Sequence, residues 1–203
     1  KVIEDLLELL STSKYKIVDI TDEIVSRKPN PPYETSSLQR DAIKVMKING
    51  KQVMDIAQKL YQKGHITYIR TDCVTISEEG HELIKQTIEN KFGNKYYKRR
   101  DKKSSKNAQE AHEAIRPTHP DIIPDITDKQ ELQLYELIWK RTLASQMADS
   151  KHRVMTIQVK ISKTKEYYFE STNEELIFDG FLKVTETKSD KKSYTPKTPA
   201  VIH

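Results

Sequence analysis

Several residue types that build common functional sites are scarce in this sequence. The single cysteine, Cys73, leaves no internal disulfide to form and suits a reducing, cytoplasmic setting. No apolar run approaches the ~20 residues of a membrane-spanning helix, and no signal peptide is visible. The five glycines form no phosphate-binding loop, a zinc-type Cys/His cluster is missing, and a paired-carboxylate site is hard to find. These absences argue against a disulfide-stabilised secreted domain, a zinc-binding module and a P-loop NTPase.

The remaining composition is that of a folded protein with a polar surface and a mild basic bias. Hydrophobic residues make up 35% and charged residues 32% of the 203 residues, and the apolar positions are periodic, unlike those of a disordered chain. The formal charge of +5 permits nucleic acid as a partner without requiring it. The sequence begins with Lys1 in a helical pattern rather than with Met, so we expect it to be a piece of a longer protein.

Apolar periodicity predicts an α+β fold in which a helical middle is inserted between two strand-containing ends. Three prolines in residues 29–32 each lack an N–H and restrict the preceding residue, so they mark a junction. We expect residues 1–32 and 151–203 to form one small antiparallel β-rich domain and residues 33–150 to form a mainly helical domain. The predicted helices cover residues 2–10, 35–49, 50–64, 77–93, 107–118 and 127–148, and the predicted strands cover 15–25, 155–161, 166–171 and 181–186.

Residues 64–77 place a tyrosine beside groups suited to phosphate chemistry. A phenol has an ordinary pKa of about 10, so it is a poor nucleophile near neutral pH and needs a cation nearby. Tyr68 has Arg70 two residues later, and the planar fork of an arginine can hold two oxygens of one phosphate. Asp72 could orient the arginine, and Thr71 could donate to a phosphate oxygen. The alternative, an ordinary surface turn with a salt bridge, is the commoner meaning of such a run.

Residues 95–106 form a basic run with aromatic neighbours. Seven Lys or Arg residues, among them Lys98, Arg99 and Arg100, stand against a single Asp, and two tyrosines lie beside them. This mixture suits a surface that follows a nucleic-acid backbone while bases stack on the aromatic rings. A solvated loop is the alternative interpretation.

A further polar cluster is predicted on a helix over residues 107–118, which Pro117 ends. Gln109, His112 and Arg116 lie at i, i+3 and i+7 and therefore share one helical face. Such a face can bind an anion, whereas a lone helical histidine is more often a hydrogen-bonded structural residue. Both interpretations stay open at this point.

Three segments of the sequence together carry a family resemblance. They are Pro32-Tyr33-Glu34-Thr35-Ser36-Ser37-Leu38-Gln39, Ile66-Thr67-Tyr68-Ile69-Arg70-Thr71-Asp72 and Asn107-Ala108-Gln109-Glu110-Ala111-His112-Glu113-Ala114-Ile115-Arg116-Pro117-Thr118. They resemble those of type IA DNA topoisomerases, of the kind typified by bacterial topoisomerase I. Weaker similarity covers residues 134–139 and 178–184, so the resemblance extends over most of the chain in the family's order and spacing. Cys73 departs from the family pattern, which usually has serine there, and a thiol is a poorer hydrogen-bond partner than a hydroxyl.

The resemblance implies an isomerase mechanism built on Tyr68. The phenol would attack a phosphodiester of single-stranded DNA, leaving a 5′-phosphotyrosyl link and a free 3′-hydroxyl, and rejoining would need no ATP. Arg70 would hold the scissile phosphate and stabilise its added negative charge. His112 matches a family position that helps to bind DNA. Arg116 is expected to be a secondary phosphate contact or a structural residue.

The resemblance also implies parts that these residues do not supply. In the family an upstream acidic domain provides the Mg²⁺ ligands and a glutamate acid/base, so we expect Mg²⁺ to bind outside this chain and the fragment alone to be inactive. The helical domain would be a gate that lifts on the β-rich hinge domain, and the intact, nucleoid-associated enzyme would relax negatively supercoiled DNA. Thr71, Asp72 and residues 98–100 are expected to contact the single strand.

Two alternatives use the same residues. The topoisomerase part of a reverse gyrase would carry these segments and add an ATP-driven helicase module. A non-catalytic single-stranded DNA-binding domain would stack bases on Tyr68 and follow phosphates with residues 95–106. Only the catalytic interpretations require the phenol hydroxyl of Tyr68, because a phenyl ring is sufficient for stacking.

Overall fold

The computed structural model describes residues 2–100 and 113–185, which fall into two compact units. The predicted boundaries at 32/33 and 150/151 lie close to the crossings between these units, and their meaning as domain limits in a longer protein stays a prediction. Each helix within the described ranges is too short or too polar to cross a membrane. The sheet unit contains residues 2–27 and 150–179, and the helical unit contains residues 28–100, 113–149 and 180–185.

An antiparallel sheet of three strands, preceded by one helix, makes up the sheet unit. Its strands are rich in Val, Ile, Thr and aromatic residues, which suit a pleated surface. The pairing of the first two strands runs from Tyr15 opposite Ile161 to Arg27 opposite Ser150, with a bulge between Ile17 and Asp19. The sequence predicted the helix and both strands of this pair. The elements are α1 (Val2–Ser11), β1 (Tyr15–Arg27), β2 (Ser150–Ile161) and β3 (Tyr168–Phe178), in the sheet order β1-β2-β3.

Charged pairs link neighbouring strands of the sheet. Arg153 on β2 contacts Asp22 on β1 at 2.6 Å, and its hydrogen bond holds the pKa of that carboxyl below its ordinary value. Arg27 lies 2.6 Å from Glu174 on β3, and Nδ1 of the buried His152 also lies 2.6 Å from that carboxylate. Cross-strand pairs of opposite charge help to fix strand register.

Five α-helices and a short 3₁₀ turn form the helical unit. Three of the helices begin with a side chain that accepts from their first N–H groups: Asn49 from Gln52, Ser77 from Gly80, and Asp128 from residues 130 and 131. The long helix was expected to begin at Thr127, but Asp128 is its cap because its carboxylate reaches two free N–H groups at once. The elements are α2 (Thr35–Met46), α3 (Gly50–Gln62), α4 (Glu78–Phe92), the 3₁₀ turn (Asn94–Tyr96), α5 (Lys129–Ser145) and α6 (Leu182–Thr185).

The core of the helical unit joins α2, α3 and α5 with parts of the loops between them. Trp139 packs partly buried against this core, and its indole N–H donates to the carbonyl of Pro120 at 2.8 Å. Loop residues Ile66, Ile69 and Ile115 are as deeply buried as the helical ones, so the loops are fixed by the same apolar burial that holds the helices. The helical members of the core are Leu38, Ala42, Val53, Ile56, Ala57, Leu60, Leu134, Tyr135 and Ile138.

The predicted helix over residues 107–118 is wrong for its described part, residues 113–118. This part is extended, and its backbone pairs with residues distant in sequence: Ala114 N–H donates to the carbonyl of Thr75 at 2.8 Å, and Ile115 N–H donates to that of Tyr33 at 2.8 Å. The local preference of an Ala- and Glu-rich stretch for helix is overridden because partners distant in sequence satisfy its backbone groups. Residues 107–112 lie outside the described residues.

The predicted strand over residues 181–186 is also wrong for its described part, residues 181–185. Gly180 has a positive φ of 50°, and a Cβ there would collide with the carbonyl oxygen of Asp149. The chain then turns into α6, with Phe181 N–H donating to the carbonyl of Ala148 at 2.9 Å. The hairpin turn of the sheet therefore lies between Ile161 and Tyr168 rather than at Gly180.

One buried hydroxyl on α5 gives a stability prediction. Thr142 is fully buried, and within the described residues its Oγ1 has no hydrogen-bond partner. Thr142→Val removes a buried unpaired polar group, which ordinarily costs about 1–3 kcal/mol, while keeping the shape of the side chain. We expect the free energy of unfolding to rise by about 1 kcal/mol and Tm by about 2–4 °C, measured by circular dichroism.

Thr87→Val is the matched control, because the equally buried Thr87 hydroxyl donates to the carbonyl of Leu83 at 2.8 Å. Loss of that bond should give no gain in Tm. A lower Tm for Thr142→Val would show that its hydroxyl has a partner in solution.

Candidate active site

The tyrosine segment, residues 64–77, connects α3 to α4 without regular secondary structure. From residue 69 to residue 73 its side chains alternate between buried and exposed, with Arg70 and Asp72 on the exposed side. Tyr68, which precedes this alternation, has 43% of its surface exposed. The phenol and the guanidinium singled out from the sequence therefore both reach solvent from one short stretch of backbone.

The guanidinium of Arg70 is not paired with a carboxylate of the described residues. Within the described ranges it makes no hydrogen bond or ion pair, and the expected pairing with Asp72 is not formed. Thr71 is buried, and its Oγ1 accepts from the N–H of Cys73 at 3.0 Å. Thr71 thus supports the backbone after Arg70 in this structure, and its predicted bond to a phosphate, like the DNA contact predicted for Asp72, stays a prediction.

On its N-terminal side, the tyrosine segment is clamped by residues 114–118. Thr67 donates from its N–H to the carbonyl of Arg116 at 2.9 Å and from its hydroxyl to the carbonyl of Ala114 at 2.7 Å. The N–H of Arg116 donates back to the Thr67 hydroxyl at 2.9 Å. Thr118 Oγ1 donates to the carbonyl of Gly64 at 2.6 Å. The residue directly before Tyr68 is therefore held on both its backbone and its side chain.

On its C-terminal side, the segment is clamped by the start of α2. Thr35 Oγ1 lies 2.7 Å from the carbonyl oxygen of Ile69 and 2.9 Å from the backbone nitrogen of Thr71. The backbone N–H of Thr35 donates to the carbonyl of Thr71 at 2.9 Å. The segments around residues 33–37, 66–72 and 113–118, which are distant in sequence, are thus direct neighbours.

The two tyrosines of these segments have different environments. Tyr33 is 2% exposed, its hydroxyl lies 3.1 Å from Asp41 Oδ2, and the guanidinium of Arg141 lies 4.6 Å from its ring centroid. Burial raises the pKa of Tyr33 well above its ordinary value, so its hydroxyl stays protonated and donates. The ring of Tyr68 instead meets the ring of Tyr61 edge-on, with centroids 5.4 Å apart. Of these two, only Tyr68 is placed to meet an external substrate.

Arg116 is fixed by internal partners. It is 7% exposed, and its guanidinium binds both carboxylate oxygens of Glu113 at 2.9 and 3.1 Å. It also donates to the hydroxyl of Ser77 at 3.3 Å. A Cβ on Gly80 would lie 2.7 Å from its Nε, so only glycine leaves room for the arginine there. This geometry favours the structural interpretation of Arg116, while His112 and Gln109 of the predicted polar face lie outside the described residues.

Three cations of the basic run, Lys98, Arg99 and Arg100, are paired with carboxylates of the helical unit. Lys98 lies 2.8 Å from Asp149, and Arg100 pairs with the same carboxylate. Burial would raise the pKa of Asp149, but the hydrogen bonds from Lys98 and Arg100 outweigh it and hold the pKa below its ordinary value. Arg99 pairs with Glu78 through both of its terminal nitrogens. Contact of these three cations with DNA stays a prediction, and residues 101–106 lie outside the described ranges.

Sequence reasoning missed the residues that hold the site. Thr67 and Thr35 lie inside the quoted segments, but their contacts were not predicted, because the backbone partners of Thr35 are 34 to 36 residues away in sequence. The departure at Cys73 is accommodated: the side chain is buried, and Sγ accepts from the N–H of Thr75 at 3.4 Å. The site is therefore held by hydrogen bonds between residues distant in sequence, which a local sequence pattern cannot predict.

Residues 2–100 and 113–185 contain no group of three or more His, Cys, Asp or Glu side chains able to hold a metal ion. No residue described here therefore fits a Mg²⁺ site. The expectation that Mg²⁺ binds outside this chain stays a prediction. The site places the exposed phenol of Tyr68 near a guanidinium, that of Arg70, which has no carboxylate partner among the described residues. Hydrogen bonds fix the backbone on both sides, and this arrangement suits binding and attack of an anionic ester.

Comparisons with known proteins agree on one family. A family model described as DNA topoisomerase matches residues 1–201. DNA topoisomerase 1 type prokaryotic of Acanthamoeba polyphaga mimivirus is 42% identical over 207 residues, or 93% of this chain and 24% of that protein. DNA topoisomerase 1 of Rickettsia felis is 39% identical over 208 residues, or 95% of this chain and 27% of that protein.

A solved structure shows the same fold. Full-length topoisomerase I from Thermotoga maritima matches with a TM-score of 0.78 at 32% identity, covering 97% of this chain and 33% of that one. The α+β fold predicted from the sequence is thus found in a relative of known structure. The chain spans about a quarter to a third of the length of these proteins.

Proposed function

This chain belongs to the DNA topoisomerase family, and from that premise we propose that it is the part of a type IA enzyme that carries the nucleophile, Tyr68. The phenol oxygen attacks the phosphorus of a phosphodiester in single-stranded DNA and gives up its proton. The bond from phosphorus to the 3′ oxygen breaks, and that oxygen leaves as a hydroxyl. The new tyrosyl ester holds the 5′ end, and attack by the 3′-hydroxyl reverses every step.

The proposal is carried by one observation: Tyr68 and Arg70 are both exposed on a backbone that hydrogen bonds hold in place. Within the described residues, Arg70 has no carboxylate partner. A guanidinium without a carboxylate partner can bind two non-bridging oxygens of the scissile phosphate at once. The charge on those oxygens grows as the phenol attacks, so the arginine stabilises the transition state more than the ground state. Arg99, Arg100 and Arg116 are less suited to this role because each already has a carboxylate partner.

The remaining parts of the reaction belong to the longer protein. We place Mg²⁺ and the acid/base group that protonates the leaving oxygen outside these residues, as the resemblance to type IA enzymes implies; the described residues hold no His, Cys, Asp or Glu cluster able to bind a metal. We further assign the helical unit to the gate, and the sheet unit to the hinge, of an enzyme that relaxes negatively supercoiled DNA. On this assignment the 203-residue chain is inactive by itself.

End-labelled DNA tests the proposal. The parent protein is incubated with single-stranded DNA and Mg²⁺ and separated on a denaturing gel. Label at the 3′ end should migrate with the protein, because the 5′-phosphotyrosine holds the downstream fragment. Label at the 5′ end should not. Protein-bound 5′ label would mean that the ester is a 3′-phosphotyrosine. DNA binding without covalent label from either end would mean that the protein binds DNA but does not cleave it.

The same assay tests the division of labour. The 203-residue chain alone should give no adduct, and adding the acidic domain of the parent in trans should restore it. An adduct from the chain alone would overturn our placement of the acid/base group and Mg²⁺ outside it.

A further inference from the structure

We infer that Thr35 is a positioning residue that fixes the backbone of Arg70 and thereby aims its guanidinium at the scissile phosphate. The inference rests on the proposed function, because it concerns the arginine of that site. Thr35 lies at the first turn of α2, far from Arg70 in sequence, and its hydroxyl contacts backbone atoms of the residues on either side of the arginine.

The hydrogen-bond directions follow from the distances. The carbonyl of Thr71 already accepts from the backbone N–H of Thr35 at 2.9 Å. The Thr35 hydroxyl is therefore best used as a donor to the carbonyl of Ile69, which is nearer at 2.7 Å than that of Thr71 at 2.9 Å. It accepts in turn from the N–H of Thr71 at 2.9 Å. One oxygen thus binds a carbonyl before Arg70 and an amide after it.

These two groups belong to the two peptide planes that flank the Arg70 Cα. Peptide planes are rigid, so φ and ψ of Arg70 are the only soft torsions between them. Tying both planes to one atom restricts both torsions together. An exposed arginine on an otherwise irregular loop would lose this restriction if the hydroxyl were removed.

Thr35 is itself rigidly held. The capping box of Glu34 and Ser37 begins α2, with Glu34 N–H 3.1 Å from Ser37 Oγ. Two residues before Thr35, the buried Tyr33 accepts from the N–H of Ile115 at 2.8 Å. A β-branched side chain also has few χ1 rotamers, so its hydroxyl is well fixed. The rigidity of the helix and core is passed to the backbone of Arg70 through this one side chain.

The test compares Thr35→Val with Thr35→Ser in the parent enzyme, using adduct formation on 3′-labelled single-stranded DNA. Valine keeps the shape but lacks the hydroxyl, and we expect the cleavage rate to fall by about 10- to 100-fold, as for a misplaced catalytic group. Serine restores the hydroxyl and should recover most of the rate. Thr87→Val, which removes a buried hydroxyl bond inside α4, should leave the rate unchanged.

A double substitution separates positioning from a general loss of structure. If Thr35 acts through Arg70, adding Thr35→Val to Arg70→Ala should lower the cleavage rate by no more than about twofold further. The inference is overturned if the two effects multiply, if serine fails to restore the rate, or if Thr35→Val cleaves like the wild type. Absence of any adduct from the wild-type parent would instead reject the proposed function, and the role of Thr35 would fall with it.

Discussion

Tyr68→Phe is expected to abolish the covalent protein–DNA adduct of the parent enzyme while leaving non-covalent binding of single-stranded DNA within about twofold. Removing a nucleophile outright lowers the rate of a comparable covalent step by about 10⁶-fold. The phenyl ring that remains keeps its edge-on contact with Tyr61, whose centroid lies 5.4 Å away, so the local packing is retained. Adduct on a denaturing gel and DNA binding by fluorescence anisotropy measure the two quantities separately.

Tyr61→Phe is the matched control, because it removes a second phenol hydroxyl from the same surface. Tyr61 is 38% exposed, close to the 43% of Tyr68, and lies at the end of α3. Its substitution should leave the adduct intact. If the adduct survived Tyr68→Phe and vanished with Tyr61→Phe, Tyr61 rather than Tyr68 would be the nucleophile. If both variants kept the adduct, neither tyrosine would be the nucleophile and the assignment of Tyr68 would be overturned.

Arg70→Ala is expected to lower the cleavage rate by about 10²- to 10³-fold, the usual cost of removing one group that stabilises a developing oxyanion. Arg70→Lys should recover part of this loss, because lysine restores the charge but not the two-pronged geometry. The salt dependence of binding to single strands gives a second readout. The slope of log K against log[salt] should become shallower by about 0.7, the amount expected for one phosphate contact.

Arg40→Ala controls for the loss of one positive charge. The Arg40 side chain is 71% exposed on α2, at 3.5 Å from Asp41, and lies outside the tyrosine segment. It should leave the cleavage rate unchanged. A similar fall in rate for both alanine variants would mean that Arg70 acts only through the net charge of the protein.

The sequence predicted the elements whose own residues carry the signal, either an apolar face at helical spacing or a high content of β-branched residues. The helices α2 to α5 carry an apolar face at helical spacing, and β1 is rich in β-branched residues, so local patterns located them. Residues 113–118 carry a helix-favouring composition instead, yet they are extended because Tyr33, Thr67 and Thr75 supply backbone partners. Such partners cannot be read from a short window.

The same limit explains why the sequence did not show which cations have carboxylate partners in the folded chain. Lys98, Arg100 and Arg116 belong to basic or polar runs that suggest phosphate contacts, but Asp149 and Glu113 pair with them in the folded chain. Arg70 has no such partner among the described residues, and nothing in the sequence marked this difference. Tyr68 and Arg70 were found as candidates because their types and spacing carry chemistry, whereas Thr35 acts through backbone atoms distant in sequence, so its place in a quoted segment did not reveal this role.

The buried thiol of Cys73 can serve as a probe of local opening of the backbone. Cys73 is 8% exposed, is the only cysteine in the 203 residues, and lies two residues after Thr71, whose backbone Thr35 holds. A thiol reagent should react with this buried side chain faster when the surrounding backbone opens, so the rate of alkylation is expected to follow local opening of the tyrosine segment. The residue that departs from the family pattern can thus report on the local stability of the tyrosine segment, without a label being introduced.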